Sequence, residues 1–401
     1  MNALAWTFGN RVRLLENGEQ YFPAVCAAIR SARREVLLET FILFEDKVGR
    51  ELQAALIAAA SRGAAVDVTV DGYGSSDLSD GFREELARAG VRLHVFDPRP
   101  RLFGLRTNAL RRLHRKLVVI DRRHAFVGGI NYAEDQLAES GPLAKQDYAV
   151  EVEGPVTEHI RALMMSALAG QWRAPFASPT LPAVVAPGAR IVLAARDNHR
   201  HRDSIEKHYC AAIRTARRDV LIANAYFFPG YHLLRELRMA VRRGVRVRLI
   251  LQGMPDRPLM RRAARALYNF LLRGGVHIYE YRLRPFHGKV AVVDGDWATV
   301  GSSNLDPLSL SLNLEANLVI QDRTFNGILR DRLEHLLHEH CETVDPGSVP
   351  RHGTGRRLLT SLVFHVARRF PVWIGWLPLR AQRAVRVQAD AAVQEKSRRA
   401  A

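Results

Sequence analysis

The chain has 401 residues, 47% hydrophobic and 25% charged, an ordinary globular make-up long enough for two cores of common domain size. Its three cysteines, Cys26, Cys210 and Cys341, are far apart and share no Cys-x-x-Cys spacing, which excludes a disulfide framework or a cysteine zinc site and suits a reducing cytoplasm. The balance of 59 Lys plus Arg against 41 Asp plus Glu gives a net charge of +18, which favours a polyanionic partner, either nucleic acid or an anionic membrane.

The opening "MNALAWTFGNRVRLLENG" has no apolar core of signal-peptide length. No run in the chain approaches the roughly 18 apolar residues of a spanning helix, so membrane contact is expected to be peripheral. "CAAIRSARREVLLETFILF" from Cys26 reads as an amphipathic helix running into a buried strand, Val36 to Phe44. A helix over Leu52 to Ser61 then turns at Gly63 into the strand of "AAVDVTVDG". Another helix leads to "GVRLHVF" and on to "LHRKLVVID".

The same order then recurs. "CAAIRTARRDVLIANAYFF" from Cys210 repeats the first helix and strand, with the strand at Val220 to Phe228. Leu233 to Arg243 and Gly244 lead into "VRVRLILQG", followed by "GVHIYEY" and "FHGKVAVVD". Helices and strands alternating in this way predict an α/β fold, built as two α/β/α sandwich units related by internal duplication. The expected layout is a first unit over 1–173, a Pro-rich linker over 174–188, a second unit over 189–345 and a basic, aromatic tail over 346–401. Pro175, Pro179, Pro182 and Pro187 mark the linker.

His-x-Lys-x-x-x-x-Asp is written twice, as His114, Lys116 and Asp121 and as His287, Lys289 and Asp294. Strand side chains alternate between faces, so a His and a Lys two apart address one ligand together. Two such pairs supply a nucleophile, an acid and two cations, the inventory of phosphoryl transfer. Each Asp is followed by Gly and Asn, with Gly128, Gly129 and Asn131 in one half and Gly301, Ser302, Ser303 and Asn304 in the other. Glycine lets backbone approach phosphate closely, and the Asn amides can donate to its oxygens. Asp147 and Glu315 each begin an apolar strand, and a carboxylate there would orient an imidazole, completing a His plus carboxylate pair in each half. Metal is not expected, because the histidines neighbour Lys and Arg rather than a ligand set. No Gly-x-Ser-x-Gly elbow or Walker-type loop is present, so neither a serine hydrolase nor nucleotide use is indicated.

These paired motifs, their Gly and Asn sequels and the duplicated halves resemble the phospholipase D superfamily over about residues 9 to 345. Within it "LLENGEQYFPA", "ETFILFEDKVG", "DGYGSSDLSD", "KQDYAVEVEGP", "ANAYFFPGYHLL" and "GSSNLDPLSLSLNLEAN" resemble the bacterial cardiolipin synthases, most nearly their B subgroup. The resemblance implies an active site at the interface of the two units and a two-step displacement needing no cofactor. One His attacks the phosphodiester of phosphatidylglycerol while the other protonates the departing glycerol. The second His then deprotonates a hydroxyl of another phosphatidylglycerol, which attacks the phosphatidyl-histidine and yields cardiolipin. By analogy His114 is taken as the nucleophile and His287 as the acid/base, an order that the near symmetry of the halves leaves open. Lys116, Lys289, Asn131 and Asn304 are expected to hold phosphate oxygens, and Ser302 to lie beside them. Asp147 and Glu315 should orient the histidines, and Asp121 and Asp294 should hold the frame. In the first half Gly129 stands where the second has Ser302, so one hydroxyl is missing from that side. Glu39, matched by Ala223 in the repeat, is expected either to line an acceptor pocket or to pair with a buried arginine, and the acidic "FED" ending at Asp46 is a second such candidate.

Two segments offer membrane contact. In "RPRLFGLRTNALRRLHRK", Leu102, Phe103 and Leu105 stand among arginines just before His114. In the tail, Leu359, Leu362, Val363, Val366 and Phe370 recur at helical spacing between arginines, and Trp373 and Trp376 suit a headgroup zone; the alternative is that the tail docks its apolar face on the body of the protein. The expected setting is the inner membrane, held peripherally at its cytoplasmic face, with an anionic phospholipid bilayer as partner and no nucleic acid. A nuclease of the same superfamily and a non-catalytic membrane scaffold are the rivals. The basic patches lack the interleaved aromatics that stack bases, and both His/Lys pairs are intact, which speaks against each in turn.

Overall fold

The protein is seen in a computed structural model that describes residues 5–98, 101–102, 105–106, 111–171, 187–198, 201–254, 267–345 and 384–387. Most of the Pro-rich linker, Phe103 and the tail's aromatic stretch lie outside the described residues, and Leu102 and Leu105 are described only as strand.

The first half contributes β1 (Thr7–Glu16), β2 (Glu35–Thr40), β3 (Ala65–Asp71), β4 (Arg92–Phe96), a two-stranded ribbon of β5 (Arg101–Leu102) and β6 (Leu105–Arg106), β7 (Leu117–Ile120), β8 (His124–Gly128) and β9 (Tyr148–Glu153). The second contributes β10 (Ala189–Arg196), β11 (Asp219–Asn224), β12 (Arg246–Gln252), β13 (His277–Tyr281), β14 (Lys289–Val293), β15 (Trp297–Gly301), β16 (Glu315–Gln321) and β17 (Cys341–Thr343), and β18 (Ala384–Arg386) comes from the tail. In each half two parallel crossovers put β2, β3 and β4, or β11, β12 and β13, side by side. The His/Lys strand then runs back antiparallel, β7 on β2 and β14 on β11.

The halves do not merely pack together. They share one 16-stranded sheet in the order β17-β13-β12-β11-β14-β15-β16-β10-β1-β9-β8-β7-β2-β3-β4-β18. The join is the antiparallel pairing of β1 with β10, Thr7 opposite Ile191 and Asn10 opposite Ala189. This pairing satisfies two strand edges that separate units would expose to water.

Helices cover both faces. Asn17–Ser31, Lys47–Ser61 and Asp80–Arg88 belong to one half and Ser204–Thr215 and Tyr231–Arg242 to the other. Leu52, Leu56, Phe82 and Leu86 close a core on β2 and β3, and Leu233, Leu237 and Ile213 close its equivalent on β11 and β12. On the opposite face Val156–Leu168 and Arg323–His340 cover a single central core, to which Leu37, Val119 and Val150 come from one half and Leu221, Val292 and Leu318 from the other. One shared apolar layer fixes the halves against each other and therefore fixes the geometry of anything built across them.

Three boundaries differ from the sequence reading. The helix expected from Leu52 begins at Lys47, because Asp46 Oδ1 accepts the Gly49 N–H at 3.0 Å as an N-cap. The acidic "FED" thus ends in a cap: Asp46 Oδ2 also accepts the Glu134 N–H at 2.7 Å. The strands expected to reach Phe44 and Phe228 stop at Thr40 and Asn224, and the chain beyond leaves the sheet to bridge neighbouring loops, Leu43 to Tyr132 and Phe227 to Leu305. Finally, the described part of the tail is an edge strand, with Ala384 opposite Phe96 and Arg386 opposite His94. Ala384 packs on the cluster of Phe96, Leu113, Ala167 and Leu314.

Candidate active site

Both His/Lys segments lie at the end of the sheet where β2, β3, β11 and β12 finish, the usual location of sites in α/β sheets. Just before β7, Leu113 makes a parallel bridge to Leu314, and just before β14, Phe286 makes the equivalent bridge to Gln146. The His114 N–H donates to Leu314 O at 3.0 Å and the His287 N–H to Gln146 O at 2.8 Å. Each bridge ends one residue before a carboxylate. The backbone therefore delivers each histidine to the carboxylate of the other half.

His114 Nδ1 lies 3.1 Å from Glu315 Oε2, and His287 Nδ1 lies 2.5 Å from Asp147 Oδ2. The expectation of one His plus carboxylate pair within each half is corrected: the pairs cross. The cause is the sheet itself, which puts β9 and β16 on either side of the central β1 and β10 and sends each half's loop over the join. Two crossed pairs make one site that neither half holds alone.

Both carboxylates are fully buried and held. Ser302 Oγ donates to Glu315 at 2.5 Å and accepts the Ala316 N–H at 3.1 Å. Its hydroxyl is committed to Glu315, which puts Ser302 behind the imidazole rather than on phosphate. Asp147 accepts the Tyr148 N–H at 2.8 Å, and a Cβ on Gly129 would sit 2.4 Å from its Oδ1. Gly129 lacks the hydroxyl of Ser302 because the Asp147 carboxylate occupies that space.

Lys116 Nζ donates to the carbonyl of His114 at 2.8 Å, and Lys289 Nζ donates to that of His287. Burial pulls the Lys116 ammonium down to about 7 and that of Lys289 to about 8, against the opposing pull of Glu315 and Asp147. Burial likewise pulls His114 down to about 4 and His287 to about 3, the carboxylates opposing it. Both imidazoles are therefore neutral at neutral pH, the form a nucleophile or base requires. An anionic phosphate between the two lysines would favour their charged forms and let one imidazole hold a proton.

Asn131 and Asn304 are both buried beside the motifs. Asn131 Oδ1 accepts the Ile42 N–H at 3.3 Å, which leaves its amide nitrogen as donor. Asn304 Oδ1 is buried without a hydrogen-bond partner among the described residues.

Asp121 and Asp294 are at the opposite ends of their strands from the histidines. Asp121 accepts the backbone N–H groups of Arg33, Arg34 and Glu35 at 2.7 to 3.0 Å, and Asp294 those of Arg217, Arg218 and Asp219 at 2.8 to 3.0 Å. Each has a positive φ, 50° and 48°, which Asp tolerates. Asp121→Ala is expected to cost about 2–4 kcal/mol in urea unfolding, from lost charge-assisted bonds. The folded fraction should keep kcat within about tenfold, measured on the same samples, and Asp121→Asn should fall between.

Glu39 is paired rather than open to a pocket. Its carboxylate meets Arg115 Nε at 2.8 Å, both side chains almost wholly buried. Arg115 was the residue most easily missed, hidden between His114 and Lys116. Its counterpart is Gly288, where a Cβ would meet Phe286 at 2.8 Å and Tyr148 at 3.1 Å, and the counterpart of Glu39 is Ala223. Charge and size are exchanged together between halves. Glu39→Ala should destabilise by about 3–5 kcal/mol because it strands the buried guanidinium. Adding Arg115→Gly should recover much of that loss in the same thermal melt, and no recovery would refute the pairing. Arg196, buried opposite Glu315 on β10, carried no signal at all in the sequence.

The family described as "Cardiolipin synthase, PLD-like domain" matches residues 25–164 and 209–337, one match per half. The chain belongs to that family. It is 53% identical over 96% of its length to cardiolipin synthase B of Escherichia coli strain K12, covering 95% of that protein. It is 54% identical to cardiolipin synthase B of Salmonella typhi, over 93% of this chain and 91% of that one. Among solved structures, phosphatidylserine synthase of Haemophilus influenzae Rd KW20 shares the fold, with a TM-score of 0.69 at 12% identity over 94% of this chain and 98% of the other.

Proposed function

We propose that this protein is a cardiolipin synthase that transfers a phosphatidyl group from one phosphatidylglycerol to another. The observation that carries the reading is the crossing of the two halves, which puts two imidazoles, each on a buried carboxylate, beside two lysines. In the first step His287 holds a proton that binding of the anionic phosphate has brought; His114 attacks phosphorus, the P–O bond to glycerol breaks, and His287 gives that proton to the departing oxygen. In the second, His287 takes the hydroxyl proton of the acceptor, whose oxygen forms the new P–O bond as the P–N bond to His114 breaks. Lys116 and Lys289, with the Asn131 and Asn304 amides, offset charge on the non-bridging oxygens of the pentavalent state. One phosphodiester replaces another, so the exchange needs no nucleotide, and the lysines supply the positive charge.

The partner is an anionic bilayer, engaged peripherally from the cytoplasmic side of the inner membrane. Among the described residues no helix is long and apolar enough to cross a membrane. Segments flanking the site strands carry exposed apolar side chains: Phe44 at 40%, Leu143 at 71% and Leu283 at 56%, with Tyr231 at 45% at the start of its helix. They suit contact with lipid. The test incubates purified protein with phosphatidylglycerol vesicles and, in parallel, with DNA, both with a chelator. Cardiolipin and glycerol in equal amounts support the reading. Nucleotide release, or no turnover, would replace it with a nuclease or a scaffold.

A further inference from the structure

Residues around His114 break the symmetry of the halves. Phe41, the first residue after β2, is Ala225 after β11, and Arg112, two residues before His114, is Pro285 before His287. These two residues meet. The Phe41 ring lies 4.9 Å from the His114 ring, Lys116 Nζ is 5.3 Å from the Phe41 centroid, and the Arg112 guanidinium carbon is 5.6 Å from it. The same guanidinium stacks 4.2 Å over Tyr73. Arg112 is fixed at the backbone too, its carbonyl accepting the Leu314 N–H at 2.9 Å and its own N–H reaching Asn313 Oδ1 at 3.3 Å. A half-buried guanidinium is thus shelved on two aromatic rings, just across Phe41 from the imidazole, on one side of the site only.

A symmetric reaction would need no such difference. In the transfer proposed above, on which this inference rests, one anionic phosphate lies between the lysines. The acceptor brings another. Attack by the hydroxyl of phosphatidylglycerol carries a second phosphodiester about 7 Å from the first, the reach of an extended three-carbon bridge with bonds of ~1.5 Å. Water or a free alcohol brings none. We propose that Arg112 recognises the phosphodiester of the acceptor and so selects an alcohol that is itself an anionic phospholipid over a neutral alcohol. Guanidinium matches two phosphate oxygens at once, and the aromatic shelf holds it in place before the acceptor arrives. The step is otherwise unchanged: the acceptor oxygen forms the P–O bond, the P–N bond breaks and the hydroxyl proton goes to His287. Arg112 selects and positions; it takes no part in bond making.

The test runs two reactions on the full chain with the same phosphatidylglycerol vesicles: cardiolipin formation, and incorporation of labelled free glycerol into phosphatidylglycerol. Both use the same donor and the same phosphatidyl-enzyme, and only the first uses an anionic acceptor. Arg112→Gln should lower the ratio of cardiolipin formation to glycerol incorporation at least tenfold, mainly through the acceptor KM, while Arg112→Lys keeps most of it. Tyr73→Leu removes the nearer ring of the shelf without touching the charge and should lower the ratio in the same direction, which keeps the test open if Arg112→Gln folds poorly. An unchanged ratio in both variants overturns the proposal. That includes the case in which vesicle flotation and both reactions fall together, which would make Arg112 a membrane or donor contact. Absence of both reactions in the unaltered protein would instead remove the transfer reading.

Discussion

His114→Ala and His287→Ala are each expected to lower phosphatidyl transfer by about 10⁴-fold or more, with thermal stability and vesicle flotation close to those of the unaltered protein. The two losses should differ in kind. Without the nucleophile, assigned to His114, no covalent intermediate forms. Without His287 a phosphatidyl-enzyme can form only as fast as glycerol leaves unprotonated, and once formed it lacks the base that activates the acceptor. A donor with a good leaving group, such as a nitrophenyl phosphodiester, needs no acid. It should restore the first step in His287→Ala and not in His114→Ala. Equal rescue of both variants would contradict the division of roles. Rescue of His114→Ala alone would reverse it.

Asp147→Asn and Glu315→Gln are expected to lower kcat by about 10³-fold each, since an amide cannot hold an imidazolium as a carboxylate does. The crossed geometry makes a sharper forecast. In proton NMR of the histidine rings, Asp147→Asn should abolish the low-field Nδ1 signal of His287 and leave that of His114, while Glu315→Gln should do the reverse. Pairing within each half would give the opposite pattern. Burial and the neighbouring carboxylates pull on each imidazole in opposite directions, so both variants should also shift the pH profile. Removing the carboxylate removes the influence that raises the ring's pKa. The limb of the profile that reports the affected histidine should move to lower pH, the acid limb where it acts as nucleophile or base and the alkaline limb where it acts as acid.

Much of this arrangement was legible in residue order because the chain states it twice. The repeated helix and strand from Cys26 and Cys210, the two His/Lys pairs and the Asp that ends each motif predicted two α/β halves, one site and a framing role for Asp121 and Asp294. Strand alternation and repetition are local, and local patterns survive in a linear text. What stayed hidden depends on contacts between distant segments. Asp147 and Glu315 were identifiable as carboxylates starting apolar strands, yet which histidine each would meet depends on β1 pairing with β10. That pairing joins edges with no distinguishing composition. Glu39 showed a similar limit. Its mismatch with Ala223 marked it as unusual, but its partner Arg115 lay inside the motif, where a basic residue is unremarkable. The strand ends at Thr40 and Asn224 were overrun because Phe41 to Phe44 and Ala225 to Phe228 remain apolar after leaving the sheet. They pack on loops around the site, and hydrophobicity alone does not separate sheet from loop at a buried active site.

The measurement that bears most directly on this account is base-quenched trapping of the intermediate. Protein mixed with phosphatidylglycerol labelled in its phosphate is denatured within the first turnover and digested, and the labelled peptide is located. The account predicts label on a nitrogen of His114, formed in step with glycerol release and chased into cardiolipin when excess unlabelled phosphatidylglycerol is added. Normal cardiolipin production with no covalent label on either histidine would contradict it.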